Sequence, residues 1–185
     1  MQPDDNHLME RVKDNDSEAF EQLFRKYEHK MLNFFYKLCY SQTLSEDLTQ
    51  ETFMRLWRSR QSFRPDAGKF STYIFQIGKN CWLSHSGTKK FREEEAMGEF
   101  ADAPASAASS GPSDLAERHE LQEKLHDAIG SLPEDFRMCF VLSRFEKLKY
   151  EEIGQVLGIS PRTVERKVSD AAKLLAKLLA GKKLK

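Results

Sequence analysis

The chain has few of the residues that build metal or disulfide sites. Its three cysteines lie far apart without a CxxC pair, and its five histidines show no metal-ligand spacing. This pattern disfavours a zinc site and favours buried free thiols in a protein of a reducing compartment. No metal and no cofactor are therefore predicted.

Long apolar runs are also missing. No stretch approaches the ~18 apolar residues that a membrane helix needs, and the start of the chain has no signal-peptide pattern. With 39% hydrophobic residues among 185, the chain can still build one large core or two small ones. We expect a cytoplasmic protein with no membrane insertion.

Net charge is zero only in the total. Residues 55–92 carry 9 basic and 1 acidic side chains, a net charge of +8, and residues 161–185 carry 8 and 2, a net charge of +6. Between them, residues 93–117 carry 7 acidic side chains and no basic one. Two basic blocks separated by an acidic one are compatible with a nucleic-acid partner, which the total charge would hide.

The acidic block also predicts how the chain is divided. Residues 93–114 are rich in alanine, serine, proline and acidic residues and hold scarcely a large apolar side chain. Such a segment cannot bury enough apolar surface to offset its ordering entropy. We expect one domain at 1–92, a flexible acidic linker at 93–117 and a second domain at 118–185.

The spacing of apolar residues predicts an all-α fold with two small helical domains. Apolar residues recur at helical spacing over residues 20–38, after Asp16 and Ser17 as candidate N-caps. A second helix is expected to open at Ser45, and a third to run over residues 71–85. No segment of the N-terminal domain alternates with period two over a useful length, so strands are not supported.

The most informative motif runs from Tyr150 to Lys173. Two amphipathic runs flank a tight turn, in which Gly158 can take a positive φ, Ser160 can cap the second helix and Pro161 suits its first position. This is a helix-turn-helix pattern, whose second helix lies in a DNA major groove. The alternative is a packed helical hairpin with a solvated charged face. The outward side chains are those of Arg162, Thr163, Glu165, Arg166, Lys167, Ser169 and Asp170.

The third predicted helix mixes aromatic and basic residues on its expected exterior. Such a surface suits single-stranded DNA, because bases stack on aromatic faces while lysines follow the backbone. The alternative is that Phe70 and Trp82 are core residues and that the lysines form a solvated rim. The residues of this exterior are Lys69, Phe70, Tyr73, Lys79, Asn80, Trp82, Lys89, Lys90 and Arg92.

Three segments together resemble a known family. They are DLTQETFMRLWRS (47–59), FRPDAGKFSTYIFQIGKN (63–80) and LPEDFRMCFVLSRFEKLKYEEIGQVLGISPRTVERKV (132–168). In joint order and spacing they resemble bacterial RNA polymerase sigma factors, and best the small two-domain extracytoplasmic-function group. The resemblance implies a subunit that binds core polymerase at the β′ clamp and the β subunit and directs it to promoter DNA, both duplex and melted. Its two-domain form would permit an anti-sigma protein to clamp both domains.

The resemblance also implies roles for three sets of residues. The set that docks on the coiled coil of the polymerase clamp is Asp47, Leu48, Gln50, Glu51, Phe53, Met54 and Trp57. The set that opens the minus-ten element and captures a flipped base is Lys69, Phe70, Ser71, Thr72, Tyr73, Lys79, Asn80, Lys89 and Lys90. The set that reads the minus-thirty-five element in duplex form is Ser160, Arg162, Thr163, Glu165, Arg166, Lys167 and Ser169.

Two other functions fit parts of the sequence. A self-sufficient helix-turn-helix repressor or activator would leave the first two segments unexplained, and no dimer seam is visible. A sequestering regulator of polymerase would not need base-reaching side chains on the last helix. Catalysis finds no support, since the acidic patches at 93–95 and 151–152 lack a partnered histidine and Ser71 and Ser160 lack a base. We predict a sigma factor that is not an enzyme.

Overall fold

The computed structural model describes residues 4–87 and 124–181, and all regular structure in those two ranges is helical. The all-α prediction is confirmed there. The predicted linker at 93–117, with Lys89 and Lys90, lies outside the described residues. The helices are α1 (Asp5–Lys13), α2 (Ser17–Cys39), α3 (Gln42–Arg58), α4 (Phe70–Ser86), α5 (residues 124–130), α6 (Glu134–Arg144), α7 (Tyr150–Leu157) and α8 (Pro161–Gly181), with 3-10 turns at Arg60–Ser62 and Pro65–Ala67.

Local capping explains where several helices begin and end. The Asp16 carboxylate accepts a hydrogen bond of 3.0 Å from the Ala19 N–H at the start of α2. Gly158 ends α7 with a φ of 72°, in the left-handed region that favours glycine. The Ser160 hydroxyl then accepts a bond of 3.1 Å from the Thr163 N–H at the start of α8. These predicted caps are confirmed.

The start of α3 was predicted too late in the chain. This helix begins at Gln42, where Ser41 Oγ accepts a hydrogen bond of 3.3 Å from the Leu44 N–H. Ser45 is fully buried inside the helix and donates to Ser41 O at 2.6 Å. Either serine could cap a helix, but Tyr40 ends α2 in a left-handed conformation, with φ 53°. The chain therefore re-enters a helix at the first serine it meets.

The N-terminal helices α1 to α4 pack around a core dominated by aromatic rings. Each buried aromatic side chain removes about 150–250 Å² of surface from water, so these rings contribute a large share of the apolar burial. Phe34 and Phe75 meet edge to face at 5.4 Å, and Phe24 packs on Phe53 at 4.6 Å. The largest fully buried rings are those of Trp82, Phe34, Phe35, Phe63, Phe70 and Phe75.

The N-terminal helices also pack against the C-terminal helices α5 to α8. One buried apolar cluster contains Phe75 and Trp82 of α4 together with Val141 of α6 and Ile153 of α7. Polar contacts cross the same boundary, since the Trp82 indole N–H donates to Glu134 Oε1 at 2.6 Å. Nothing in the sequence predicted this contact between the two halves.

Arg137 of α6 connects the two halves a second time. Its side chain is 8% exposed, and its Nη1 donates to Leu38 O at the end of α2 at 3.0 Å. Its Nη2 donates to Leu132 O at 3.1 Å and to Gly130 O, both just before α6. A buried guanidinium is stable only with such partners. Arg137 therefore orders the turn before α6 and ties that turn to α2.

Candidate nucleic-acid and polymerase interface

The face of α8 that is predicted to read duplex DNA is largely open to solvent. Arg162, Glu165, Arg166 and Ser169 are exposed, whereas the residues of the opposite face are buried in the core. The hydroxyls of Ser160 and Thr163 lie 2.8 Å apart and stabilise the first turn of the helix. Of the seven predicted side chains, these four therefore share one exposed face of α8, and Ser160 just before the helix is exposed as well.

Lys167 is placed differently from its neighbours on α8. Its Nζ pairs with the Asp135 carboxylate and lies 4.6 Å from the centre of the Phe136 ring, both on α6. Only 17% of its side chain is exposed. Lys167 thus holds α8 against α6, and the pattern of outward positions could not distinguish it from Arg166.

The predicted docking helix α3 divides its residues between surface and core. Asp47, Gln50 and Met54 are exposed, and 48% of Met54 is accessible, a large apolar side chain on an otherwise polar face. Leu48 and Phe53 are buried and support the helix from inside. The surface offered by α3 is therefore polar with one apolar centre.

Two side chains at the edge of this α3 surface are held by neighbours. Glu51 Oε1 accepts from Arg55 Nε at 2.6 Å, one helical turn away. Trp57 is half-buried, packs on Phe20 at 5.1 Å between ring centres, and lies under the Arg60 guanidinium at 4.6 Å. These contacts hold both side chains in place before any partner binds.

Two residues of the predicted minus-ten set, Phe70 and Thr72, lie inside the protein. Phe70 is fully buried, with its ring 5.1 Å from Tyr27, and Trp82 and Thr72 are buried as well. The alternative stated above, that Phe70 and Trp82 are core residues, is the one the structure supports. Helical spacing could not decide this, because α4 is covered on two sides, by the other N-terminal helices and by the C-terminal ones.

The remaining minus-ten residues lie along the accessible part of α4. The Tyr73 hydroxyl contacts Ser59 O at 3.1 Å and Ser59 Oγ at 3.2 Å. Ser71 and Lys79 are half-buried, and Asn80 is exposed. Of these four residues of α4, Asn80 is therefore the most accessible.

Lys69 is exposed but already paired. Its Nζ lies 2.9 Å from Glu152 Oε1 of α7, and the second carboxylate oxygen of Glu152 accepts from the Lys149 N–H at 2.9 Å. Burial alone would raise the pKa of Glu152, but the hydrogen bonds from the Lys149 N–H and from Lys69 outweigh it and hold that pKa below its usual value. The Glu152 carboxylate of the C-terminal half is thus paired with Lys69, a cation that is predicted to contact DNA.

In the ranges 4–87 and 124–181, no group of three or more His, Cys, Asp and Glu side chains could hold a metal ion. Cys81 and Cys139 are buried free thiols, and burial raises the pKa of Cys139 to about 11. No helix in the same ranges is long and apolar enough to cross a membrane.

Comparison with known proteins identifies the family. The model of sigma-70 region 2 matches residues 23–91, and that of sigma-70 region 4 matches residues 122–175. The ECF RNA polymerase sigma-E factor of Escherichia coli K12 is 30% identical over 170 residues, which cover 89% of this chain and 88% of that protein. This chain belongs to the sigma-70 family, in its extracytoplasmic-function group.

Two further matches extend over most of the chain. RNA polymerase sigma-H factor of Pseudomonas aeruginosa is 29% identical over 184 residues, 96% of this chain and 95% of that protein. The sigma factor RpoE of Bartonella quintana, solved with the anti-sigma factor NepR, shares the fold, with a TM-score of 0.68 at 23% identity over 87% of this chain and 96% of that one. The chain is a promoter-specific transcription initiation factor, with region 2 in α2 to α4 and region 4 in α5 to α8.

Proposed function

We propose that three separate surfaces of this sigma factor carry its contacts. The exposed face of α3 docks on the β′ clamp of core polymerase, and the C-terminal helices add a contact to the β subunit. The start of α4 and Asn80 read the melted minus-ten strand. The exposed face of α8 reads the minus-thirty-five element as duplex. The residues in direct contact are Asp47, Gln50, Glu51 and Met54 on α3, Lys69, Lys79 and Asn80 at α4, and Arg162, Glu165, Arg166 and Ser169 on α8.

The observation that carries this proposal is the presence, in one chain, of an exposed polar face on α3 and an exposed basic face on α8. A stand-alone helix-turn-helix regulator would have no use for the first face. A sequestering regulator of polymerase would have no use for the exposed arginines of the second. Only a factor that joins polymerase to promoter DNA uses both.

The same proposal includes the setting in which the chain acts. It is a subunit without enzymatic activity, it works in the cytoplasm, and its domains are residues 1–92 and 118–185 with 93–117 as the linker. The Bartonella quintana relative was solved with an anti-sigma factor. By analogy we infer that a protein of that class holds this chain inactive.

Core docking is tested by replacing Gln50 and Glu51 together with alanine. Both side chains lie at the surface of α3 and alanine is a good helix former, so helix content should be unchanged. In competition with the parent chain for core polymerase, we expect the affinity to fall about tenfold, as for a truncated interface centre. Transcription from a responsive promoter should fall in parallel.

The matched control is the replacement of Glu21 and Gln22 by alanine on α2. This pair has the same residue types, and Glu21 forms an i,i+4 ion pair with Arg25 as Glu51 does with Arg55. Its loss should leave core binding unchanged. If the α3 variant competes for core polymerase as well as the control does, the docking surface lies elsewhere.

A further inference from the structure

The start of α4 is not capped by the residue that precedes it. Lys69 occupies the N-cap position and makes no side-chain hydrogen bond to the first turn. The first N–H groups of a helix have no partner within it, so each needs an acceptor from elsewhere. Here the Phe70 N–H donates to Asn6 Oδ1 at 2.7 Å. Asn6 therefore caps α4 from α1, 64 residues earlier in the chain.

The same amide also holds the residue before Lys69. Asn6 Nδ2 donates to Gly68 O at 3.3 Å. Gly68 has φ 153° and ψ −173°, a conformation that is essentially restricted to glycine. One side chain thus contacts the backbone on both sides of Lys69. The direction in which the Lys69 side chain leaves the backbone is set by these two hydrogen bonds.

Helix α1 is anchored well enough to act as a support. The Asp5 carboxylate accepts from the Tyr27 hydroxyl at 2.7 Å, which joins α1 to α2. At its other end, Lys13 O accepts from the Gln61 side chain at 2.6 Å, and Lys13 Nζ donates to Phe63 O at 3.4 Å. The connection between α3 and α4 is therefore held by α1 at both of its ends.

We propose that Asn6 is a positioning residue for recognition of the minus-ten strand. It fixes the backbone from Gly68 to Phe70 and thereby places Lys69 and the first turn of α4 against the melted strand. The inference rests on the proposed function, in which this segment reads the minus-ten element. Asn6 lies before the residues that match the region 2 family model, 23–91, so that match assigns it no role.

The test compares three variants in holoenzyme. The probe is a single-stranded oligonucleotide selected from a randomised pool by the parental holoenzyme. Asn6→Ala should bind this strand about fivefold more weakly, a change in affinity equivalent to the stability that is typically lost with one helix cap. Asn6→Asp keeps the acceptor for the Phe70 N–H and should recover most of the affinity. His7→Ala, an exposed neighbour on α1, should match the parent.

Two further measurements separate positioning from general damage to the domain. Affinity for core polymerase and for minus-thirty-five duplex should be unchanged in all three variants, because the two hydrogen bonds of Asn6 go to Gly68 and Phe70. The role of Asn6 would be overturned if Asn6→Ala bound the strand as tightly as the parent does. It would also be overturned if that variant lost affinity for core polymerase and for the strand equally. If the parental holoenzyme enriches no strand at all, the minus-ten assignment itself fails, and the premise of this inference fails with it.

Discussion

The two faces predicted to meet DNA, on α8 and on α4, are built in opposite ways. The α8 face carries Arg162 and Arg166 in solvent and lies apart from the contact between the halves of the chain. The α4 face lies in that contact, since Lys69 pairs with Glu152 and the Trp82 indole binds Glu134. In this arrangement the surface predicted to read duplex DNA is open to solvent, whereas the surface predicted to read the melted strand is partly covered.

The distance between the two promoter elements is large compared with the size of the chain. By their names, the two promoter elements lie about 25 base pairs apart, roughly 85 Å of duplex at ~3.4 Å per base pair. A compact chain of this length has a radius of gyration of about 16 Å. If α4 reads one element and α8 the other, as proposed, a chain packed this compactly is too small to contact both. On the proposed function we therefore expect the contact to open when the factor binds a promoter, and we expect the opening to expose α4 most.

The largest expected effect sharpens the picture of the α8 face. Arg166→Ala in holoenzyme should weaken binding to minus-thirty-five duplex by about 1–3 kcal/mol if Arg166 makes a bidentate base contact. Lys167→Ala should change that affinity much less, because Lys167 is occupied by Asp135 and Phe136. Duplex titrations of the two variants measure the contrast, and equal losses would show that Lys167 leaves α6 to bind DNA.

The second prediction concerns a carboxyl group near the contact between the halves. Burial raises the pKa of Glu146 to about 7, although Lys30 of α2 opposes the rise. The preceding ring, Phe145, lies under Lys37 Nζ of α2 at 5.0 Å. Because the folded pKa is above the unfolded one, the stabilisation is complete below about pH 4 and is lost as the pH rises through 7.

Glu146→Gln removes this titration. Between pH 5 and pH 8 the parent should lose on the order of 1–2 kcal/mol of unfolding free energy relative to the glutamine variant. Urea unfolding of both chains across that range measures the difference. Glu151→Gln, at an exposed site, should track the parent. If the unfolding free energies of the parent and Glu146→Gln change with pH in parallel, Glu146 is solvated and its titration does not contribute to stability.

How far the sequence predicts this molecule depends on the range of the interactions involved. The helix-turn-helix was predicted in detail because its signals are local: Gly158 at the turn, Ser160 at the cap and Pro161 at the first helical position. Trp82, by contrast, is buried with its indole N–H bonded to Glu134, which lies 52 residues away in the other half of the chain. No residue within one helical turn of Trp82 indicates that the C-terminal helices cover it.

Asn6 illustrates the same limit at the candidate site. The sequence has a lysine, Lys69, at the N-cap position of α4, which indicates that the cap must come from a residue elsewhere in the chain. It does not show which distant side chain supplies the cap. Pairings of this kind depend on how α1 packs against the N-terminal bundle, and apolar spacing along one helix carries no information about that packing.

The prediction with the smallest expected effect concerns which acidic residues cover the basic side chains of the α4 face. The seven acidic side chains of residues 93–117 are one candidate, because a linker of that charge could fold back over either basic block. If it does, neutralising Glu93, Glu94, Glu95, Glu99 and Asp102 should raise the affinity of the free chain for DNA. That segment lies outside the described residues, and the prediction stands untested. The structure offers a competing anion, Glu152. The variant Glu152→Gln keeps an oxygen for the Lys149 N–H and removes the charge that pairs with Lys69.

We expect Glu152→Gln to raise the affinity of the free chain for single-stranded DNA by about two- to threefold at low salt, because an exposed ion pair is weak and screened. In holoenzyme the gain should vanish, because we expect the α4–α7 contact to be open there. Salt titrations of the parent, Glu152→Gln and the neutralised linker separate the two anions. A gain from the linker variant alone would show that the linker screens the DNA-binding surface, and that the Lys69–Glu152 pair only accompanies the packing of the two halves.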